Sequence, residues 1–155
     1  MTGTKPETCI RPARPADAAR IAEIEIFNYR LNFYPIFQND AFYFGELQVP
    51  ALMKLYLEDQ TLLESTFVYD DGAVKGIIRL NGSEIQKLFV EPALQSKGIG
   101  TALLQFAVNM KKADSLWALE KNHRAIAFYQ RNGFHLTEDR KLEEDTTEYL
   151  VRMAR

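Results

Sequence analysis

Hydrophobic and polar positions follow two rhythms along the chain, and the first of them is typical of strands. Between residues 66 and 90, short apolar runs are separated by Asp70-Asp71-Gly72 and Asn81-Gly82, which have the composition of hairpin turns. These runs predict three consecutive strands, Thr66–Tyr69, Ala73–Leu80 and Glu84–Val90. Because the connections are so short, the strands form an antiparallel meander.

After residue 98 the apolar spacing changes to the i, i+3, i+4, i+7 period of a helix with one buried face. The residues on that face are Ile99, Ala102, Leu103, Phe106, Ala107 and Met110. A short apolar strand, Ser115–Leu119, follows, and Asn122 is a good N-cap for a second helix that Gly133 would end. Phe134–Thr137 and Thr147–Met153 then have the pattern of two closing strands.

The N-terminal third combines a short strand, a helix and an aromatic-rich segment. Thr8–Arg11 has the pattern of a strand, and Pro15 stands where a helix would begin. Residues 28–57 contain many aromatic side chains, most of which we expect in the core, and two prolines and a glycine divide them into helical pieces. The predicted order is β-α-α-β-β-β-α-β-α-β-β, a mixed α/β fold.

Length and composition narrow the class of protein. The 155 residues predict one domain spanning 1–155, and 46% hydrophobic with 26% charged residues is an ordinary globular balance. No apolar run approaches the roughly 20 residues that span a bilayer, so we expect neither a membrane anchor nor a leader peptide. Cys9 is the single cysteine, so we expect neither an internal disulfide nor a Cys-based zinc site, and a cytoplasmic protein.

The charge pattern argues against nucleic acid and leaves one acidic feature open. Nineteen Lys and Arg against twenty-one Asp and Glu give a net charge of −2, with no basic stripe along the chain. Acidic residues concentrate near the C-terminus at Glu138, Asp139, Glu143, Glu144, Asp145 and Glu148. They form either a solvated loop between the last two strands or a rim that attracts a cationic substrate.

The strand Glu84–Val90 runs through a glycine-bearing loop, Gln95–Thr101, directly into the amphipathic helix. Two glycines in such a loop let a ligand approach the backbone, and the free N–H groups of the first helical turn then favour an anion such as a pyrophosphate. A turn without a ligand is the alternative. A Walker loop is absent, and Leu103 stands where a dinucleotide fingerprint needs Gly or Ala.

At this point the sequence resembles the GCN5-related N-acetyltransferase (GNAT) family. The family's Gln/Arg-x-x-Gly-x-Gly/Ala motif is matched by Gln95-Ser96-Lys97-Gly98-Ile99-Gly100, and Leu88-Phe89-Val90-Glu91-Pro92 looks like the end of its fourth strand. Downstream, Asn122-His-Arg-Ala125-Ile126-Ala127-Phe128-Tyr129, followed by Asn132-Gly133-Phe134, is similar to its Asn-x-x-Ala-x-x-x-Tyr…Gly-Phe stretch. The match covers about a third of the chain.

The resemblance implies a mostly antiparallel sheet in which strands 84–90 and 115–119 are parallel but splay apart, with acetyl-CoA entering the gap as a co-substrate and no metal. Pantetheine would pair with backbone groups near Phe89 and Val90, and the pyrophosphate would rest on the glycine loop. The implied acetyl-CoA contacts are Leu88, Phe89, Val90, Gln95, Ser96, Lys97, Gly98, Ile99, Gly100, Thr101, Asn122, Ala125, Phe128 and Tyr129.

The resemblance also implies catalytic roles in direct acetyl transfer to a primary amine. Tyr129 matches the family's tyrosine at the cofactor sulfur and is expected to protonate the leaving thiolate. Glu84 is the candidate base, with Glu120 or a chain of water molecules as alternatives. A backbone N–H near Val90 would stabilise the oxyanion.

The family binds its acceptor largely through the segment after the first strand. Here that segment supplies Tyr29, Phe33 and Tyr34 as the expected pocket residues. The acceptor would be an amine of a small molecule or a peptide, and the sequence leaves the oligomeric state open, a homodimer included. A non-catalytic acyl-CoA sensor or interaction module with the same fold is the alternative function.

Overall fold

The computed structural model describes residues 6–155, with side chains from Thr8 onward; residues 1–5, where we expect no leader, lie outside this range. The helices are α1 (Ala18–Asn28), α2 (Tyr34–Phe37), α3 (Val49–Glu58), α4 (Gln60–Glu64), α5 (Ile99–Lys111) and α6 (His123–Arg131). The strands are β1 (Ile10–Pro12), β2 (Thr66–Asp70), β3 (Val74–Asn81), β4 (Glu84–Val90), β5 (Ser115–Leu119), β6 (His135–Leu142) and β7 (Tyr149–Ala154).

The seven strands form one sheet in the order β1-β2-β3-β4-β5-β7-β6. Every neighbouring pair is antiparallel except β4 and β5, which are parallel. The predicted mixed and mostly antiparallel sheet is therefore confirmed, as is the parallel pair at its centre. Within the described residues, no helix is long and apolar enough to cross a membrane.

The central hairpins form where their turn residues predict them. Gly72 has φ of 120° and donates its N–H to the Asp70 side chain at 2.9 Å, while Gly82 has φ of 59°. Both conformations are easily reached by glycine, which has no Cβ. β4 and β5 begin and end at the predicted residues, and Asn122 caps α6 through a 3.2 Å bond from the Ala125 N–H.

Strand β4 carries a bulge that sequence patterning does not show. Arg79 of β3 is opposite Lys87, but the next residue, Leu80, is opposite Ile85. Gln86 therefore has no paired residue on β3. A bulge bends a strand and changes which residues share a face. As a result, Leu88 and Ile85 both pack towards the core that includes α5 and α6.

Two hydrophobic cores cover the two faces of the sheet. The first lies beneath α5 and α6 and includes the fully buried Leu103, Phe134 and Met153. The second lies beneath α1 and α3 and includes Ile21 and Tyr56. The predicted buried face of α5 is confirmed in its first turns, but Met110 in the last turn is 70% exposed.

The predicted boundaries of the first strand and of the last two are wrong, and the last strand is Tyr149–Ala154 rather than Thr147–Met153. The first strand is Ile10–Pro12 rather than Thr8–Arg11, because Pro6–Cys9 forms a 3-10 turn. The sixth strand extends to Leu142, beyond the predicted Thr137. Since β6 is an edge strand whose outer side faces water, it tolerates the charged residues that suggested a loop.

The aromatic segment is divided into short helical pieces, as predicted. π-helical turns at Tyr29–Phe33 and Ala41–Glu46 flank α2, and α3 begins next to Pro50. The expectation that most of its aromatic side chains are core holds for Tyr56 and Tyr43 but not for Phe42 and Phe44, which are exposed. The segment lies beside the end of β4 and supplies one wall of the site described next.

Candidate functional site

A cavity of about 940 Å³ opens where β4 and β5 separate. The two strands pair only at Glu84 with Ser115 and at Ile85 with Leu116, after which they diverge. The walls come from both strands, the loop before α5, helix α6, the aromatic segment and the β6–β7 connection. The cavity therefore lies at the one parallel junction of the sheet.

The divergence leaves backbone groups of β4 facing the gap. The Glu91 N–H donates to the Lys75 carbonyl of β3 at 2.9 Å. Because successive residues of a strand direct their hydrogen-bonding groups to opposite sides, Phe89 also faces β3, while the N–H groups of Leu88 and Val90 point into the gap. Of the backbone groups expected to bind pantetheine, near Phe89 and Val90, those of Phe89 are therefore turned to β3, whereas those of Val90 and Leu88 face the gap.

The loop before α5 has the geometry of an anion site. Ser96 and Gly98 have φ of 65° and 87°, and Gly98 is the N-cap of α5. The first bond of the helix runs from the Ala102 N–H to the Gly98 carbonyl at 3.0 Å, so the N–H groups before Ala102 have no partner inside the helix. A Cβ on Gly98 would meet no atom within 4 Å, so the space above it is open.

A buried asparagine ties this loop to the end of β4. The Asn28 side chain, 2% exposed, donates to the Val90 carbonyl at 2.9 Å and accepts a 3.2 Å bond from Gln95. These bonds hold the Gln95 side chain at the gap. The Val90 carbonyl already accepts a hydrogen bond from Asn28, which leaves the Val90 N–H for a ligand. Asn28 was missed by sequence reasoning, because an asparagine near a helix end is more often a cap.

Tyr129 faces the cavity from α6 and is 8% exposed. Its ring contacts those of Phe128 and Phe134, with centroids at 5.3 and 5.8 Å. Among the described residues, its hydroxyl has no hydrogen-bond partner. Burial raises the pKa of Tyr129 above its ordinary value, so the phenol is protonated at neutral pH and free to donate to a ligand.

Most of the expected acetyl-CoA residues line the same cavity. The members are Leu88, Phe89, Val90, Gln95, Ser96, Gly98, Gly100, Thr101, Asn122, Ala125, Phe128 and Tyr129. Lys97 and Ile99 do not line it: Lys97 is exposed, and the Ile99 side chain is buried in the core beneath α5. Both residues contribute backbone N–H groups to the loop and the first turn of α5, where the anion site lies.

The aromatic wall differs in part from the prediction. Tyr29 and Phe33 line the cavity and contact Phe89, with ring centroids at 5.3 and 6.2 Å. Tyr34 does not, because its hydroxyl donates to Asp40 at 2.6 Å and its ring packs on Phe44. Three further aromatic residues complete the wall, namely Phe37, Phe42 and Tyr43.

Two features from the second half of the chain complete the site. Trp117, whose place in a short apolar strand predicts a core residue, is half-buried and lines the cavity. Of the acidic residues near the C-terminus, Glu143, Glu144 and Asp145 also line it. They belong to the β6–β7 connection, as the interpretation as a loop expects, and they reach the cavity from there.

The candidate bases lie outside the main cavity. Glu84 is at the closed end of the β4–β5 junction and lines a smaller neighbouring cavity with Arg79, Lys87 and Trp117. Glu120 accepts two 2.9 Å hydrogen bonds from Arg140, which lower the pKa of its carboxyl group. A carboxylate held in this way is a weak proton acceptor.

Comparison with known proteins agrees with this geometry. Residues 63–136 match the family model described as the acetyltransferase (GNAT) domain. The chain is 34% identical over 70 residues to the peptidyl-lysine N-acetyltransferase YiaC of Escherichia coli, covering 44% of this chain and 48% of that protein. It thus spans about half the length of the curated relatives it matches.

Solved structures resemble nearly the whole fold. Apo-form YjaB from Escherichia coli superposes with a TM-score of 0.74 and 21% identity, covering 94% of this chain and 95% of that one. The PaiA N-acetyltransferase from Thermoplasma acidophilum, solved with coenzyme A, has a TM-score of 0.67 and 18% identity, covering 94% and 98%. These likenesses establish the fold.

Proposed function

Because residues 63–136 belong to the GNAT acetyltransferase domain family, we propose that this protein moves the acetyl group of acetyl-CoA directly to a primary amine. One observation carries the proposal: a single cavity joins an anion-binding loop, a gap with unpaired backbone groups and a protonated tyrosine. A site for an unrelated small ligand would not need these three features in the same cavity.

The residues present fit acetyl-CoA. The loop Gln95–Thr101 offers free N–H groups and open space at Gly98 for the pyrophosphate. Leu88 and Val90 direct backbone groups into the gap, where the amides of pantetheine would pair with them. Gly100 lies between Val90 and Phe128, whose side chains would be in ordinary contact, at 3.6 Å, with a Cβ at this position.

The chemistry that these residues support is attack of an amine on a thioester. The acceptor ammonium first loses a proton to a base, after which its nitrogen forms a bond to the acetyl carbon. The Val90 N–H, which faces the gap, would stabilise the oxyanion. When the C–S bond breaks, Tyr129 donates its proton to the thiolate and takes up the second proton that the nitrogen loses.

The surroundings of the cavity favour a cationic acceptor with an apolar stem. Glu143, Glu144 and Asp145 place negative charge on one wall, and the aromatic residues form the other. Relatives named peptidyl-lysine N-acetyltransferases add support for a lysine side chain, an aliphatic stem ending in an ammonium. We therefore take a lysine in a peptide as the first candidate and a small amine as the second.

Steady-state release of CoA tests the proposal. The assay would contain acetyl-CoA with lysine peptides, N-terminal peptides and small amines, each alone and with the protein. Release that depends on one acceptor class supports the enzyme and identifies the class. Tight acetyl-CoA binding without release on any amine would instead support the non-catalytic sensor.

A further inference from the structure

A buried polar network lies beneath the cavity on the α1 and α3 side of the sheet. Its centre is Glu25, 3% exposed, which accepts hydrogen bonds from Tyr29 at 2.8 Å and from Tyr56 at 2.6 Å. Arg79 donates to the Tyr56 hydroxyl at 2.7 Å and lies 4.0 Å from the Glu25 carboxylate. This polar cluster connects α1, α3 and β3 through an otherwise apolar core.

Lys87 is the member of the network that reaches the cavity. It directly follows the β4 bulge at Gln86 and lines both the main cavity and the smaller one. Its Nζ donates to the Tyr29 hydroxyl and lies 4.7 Å from the centre of that ring. Tyr29 gives its own proton to Glu25, so its oxygen can only accept from Lys87.

The charges of the network do not balance if Lys87 is protonated. Glu25 is already paired with Arg79, and among the described residues Lys87 has no carboxylate within ion-pair distance. Burial lowers the pKa of Lys87, and Arg79 adds to this, while Glu25 and Glu143 act in the opposite direction. A neutral amine can keep its N–H bond to Tyr29 and still present a lone pair to the cavity.

From this geometry we infer that Lys87 is the general base of the proposed acetyl transfer and that Tyr29 and Glu25 are its positioning residues. The inference rests on the proposed function and replaces Glu84 as the candidate base. Both residues are on β4, but Glu84 lies at the closed end of the junction, whereas Lys87 lines the main cavity between the aromatic wall and the acidic connection.

The proton balance of the step is complete. The Lys87 lone pair takes one proton from the acceptor ammonium, which leaves a neutral acceptor amine and a Lys87 ammonium. The acceptor nitrogen bonds to the acetyl carbon, and the C–S bond breaks. Tyr129 donates its proton to the sulfur and takes up the second proton of the nitrogen. Lys87 then returns its proton to solvent through the open cavity, so the net products are the amide, CoA and one proton.

Two variants of Lys87 separate a base from a structural cation. Lys87→Met removes the amine, and Lys87→Arg keeps a positive charge and a donor for Tyr29 but cannot become neutral. Both should lower kcat by about 10²–10⁴-fold at neutral pH, and high pH should restore part of the loss because it deprotonates the acceptor. Lys75→Met, on β3 and outside both cavities, is the control.

Wild-type kinetics in Lys87→Arg would overturn the assignment of Lys87 as the base, because arginine keeps the positive charge but cannot accept a proton. Glu84→Gln is compared in the same assay and should change kcat by less than about 10-fold. If Glu84→Gln instead loses about 10²-fold together with the acidic limb of the pH profile, the base is Glu84 and not Lys87.

The pH profile adds a readout that a packing role would not move. The groups that act on Lys87 are Glu25, Tyr29, Arg79 and Glu143, with Glu84 and Lys141 across the smaller cavity, while Tyr56 is bonded to Glu25 and Arg79. Glu25 raises the pKa of Lys87, so Glu25→Gln should shift the acidic limb of kcat/KM to lower pH. If Glu25→Gln does not fold, Tyr29→Phe should change the same limb, and an unmoved limb in the folded variant would contradict the proposal.

Trace labelling of lysines with acetic anhydride, quantified by mass spectrometry across pH, needs no acceptor. Lys87 should reach its labelling plateau at lower pH than the exposed Lys54. Parallel titration of the two residues would overturn the base assignment even if the enzyme is active. Absence of wild-type turnover on every amine would instead refute the proposed function, so the two failures are distinguishable.

Discussion

The Tyr129 hydroxyl combines burial with the lack of a hydrogen-bond partner among the described residues. Burial raises the pKa of this phenol because the phenolate would lose its hydration, and no nearby cation reverses the effect. The proton is therefore present throughout the neutral range. The phenol can therefore donate a hydrogen bond to the departing thiolate and pass on to it the proton that the acceptor nitrogen loses.

Tyr129→Phe tests this role by removing one oxygen atom while keeping the ring contacts with Phe128 and Phe134. We expect kcat to fall by about 10²–10⁴-fold, the usual contribution of general acid catalysis. Acetyl-CoA affinity should change little, because the thioester sulfur is a poor acceptor before the bond breaks. Steady-state CoA release measures kcat, and calorimetry measures the affinity for acetyl-CoA.

The control for this prediction is Tyr69→Phe, on β2 and outside the cavity, which should leave turnover unchanged. An equal loss of affinity and turnover in Tyr129→Phe would indicate that the tyrosine only positions acetyl-CoA. Wild-type values for both would exclude it from the mechanism.

Individual site residues could be predicted from the sequence where a local motif carries them. Tyr129 stands at a fixed distance from Asn122, and both side chains line the cavity as the motif implies. Asn28 and Lys87 could not be predicted in this way. Asn28 acts through contacts with residues 62 or more positions away, and Lys87 reaches the cavity because of a bulge that no residue pattern shows.

At the scale of elements, the loop Gln95–Thr101 and the first turn of α5 work as one unit. Gly98→Val tests it, since the side chain would enter the open space above the loop and also strain a residue whose φ is 87°. We expect acetyl-CoA affinity measured by calorimetry to fall by at least about 10-fold, because removal of even one or two charge-assisted hydrogen bonds is worth that much.

Gly133→Val is the matched control, because Gly133 has φ of 92° but lies outside the cavity. It should cause a similar loss of stability without the loss of affinity. Unchanged binding in a folded Gly98→Val protein would show that the pyrophosphate site is elsewhere.

A second unit joins β1, β2 and the start of α1. Arg11 donates to both oxygens of Asp17, at 2.8 and 3.0 Å, and to Asp70 at 2.9 Å. The hydrogen bonds from Arg11 lower the pKa of the Asp17 carboxyl, although burial opposes them. The stability that this pairing adds is therefore present above the ordinary carboxyl pKa and is lost as the pH falls below it.

Arg11→Met should accordingly lower the free energy of unfolding by about 1–3 kcal/mol at neutral pH, the cost of leaving a buried charged group without its partner. The difference from wild type should begin to shrink below about pH 4, because Asp17 in the unfolded chain then binds a proton that the folded wild type still excludes. Urea unfolding at pH 7 and pH 3 measures it. Lys54→Met, which breaks an exposed pair with Glu58, is the control and should have little effect.

A difference that stays the same at both pH values would mean that Arg11 stabilises the fold through packing of its stem rather than through Asp17.

Element boundaries themselves were predictable where turn residues set them, as at Asn81-Gly82 and Asn122. They were not predictable for β6, since its length depends on its place at the edge of the sheet, which is a property of the whole fold.

At the scale of the molecule, the acceptor side of the cavity joins parts of the chain that are far apart. The aromatic wall comes from residues 29–43, and the acidic wall comes from residues 143–145. Because neither segment has a local motif, the sequence left open whether the aromatic residues form core or pocket, and whether the acidic residues form a solvated loop or a rim. The strand order, which brings β7 beside β5, is what places them on the same cavity.

Charge neutralisation on the acidic wall tests the preference for a cationic acceptor. The double variant Glu144→Gln, Asp145→Asn should raise KM for a lysine peptide a few-fold, since exposed charge pairs contribute about 0.2–1 kcal/mol each. The same peptide should lose affinity for the wild type at high salt. Glu138→Gln, on the outer part of β6 and outside the cavity, should leave KM unchanged.

A KM that is insensitive to these changes would remove the acidic wall from acceptor recognition without affecting the chemistry. The same would follow if the variant and the wild type responded equally to salt.

The most direct test of acetyl transfer follows the acetyl group itself. Acetyl-CoA with an isotope-labelled acetyl group is incubated with the protein and a lysine peptide, and the masses of the peptide and of CoA are measured over time. Direct transfer predicts one labelled acetyl group on the peptide for each CoA released, with no labelled protein intermediate and little product from Tyr129→Phe. CoA released without labelled peptide, on this and every other amine tried, would contradict the assignment of this protein as an N-acetyltransferase.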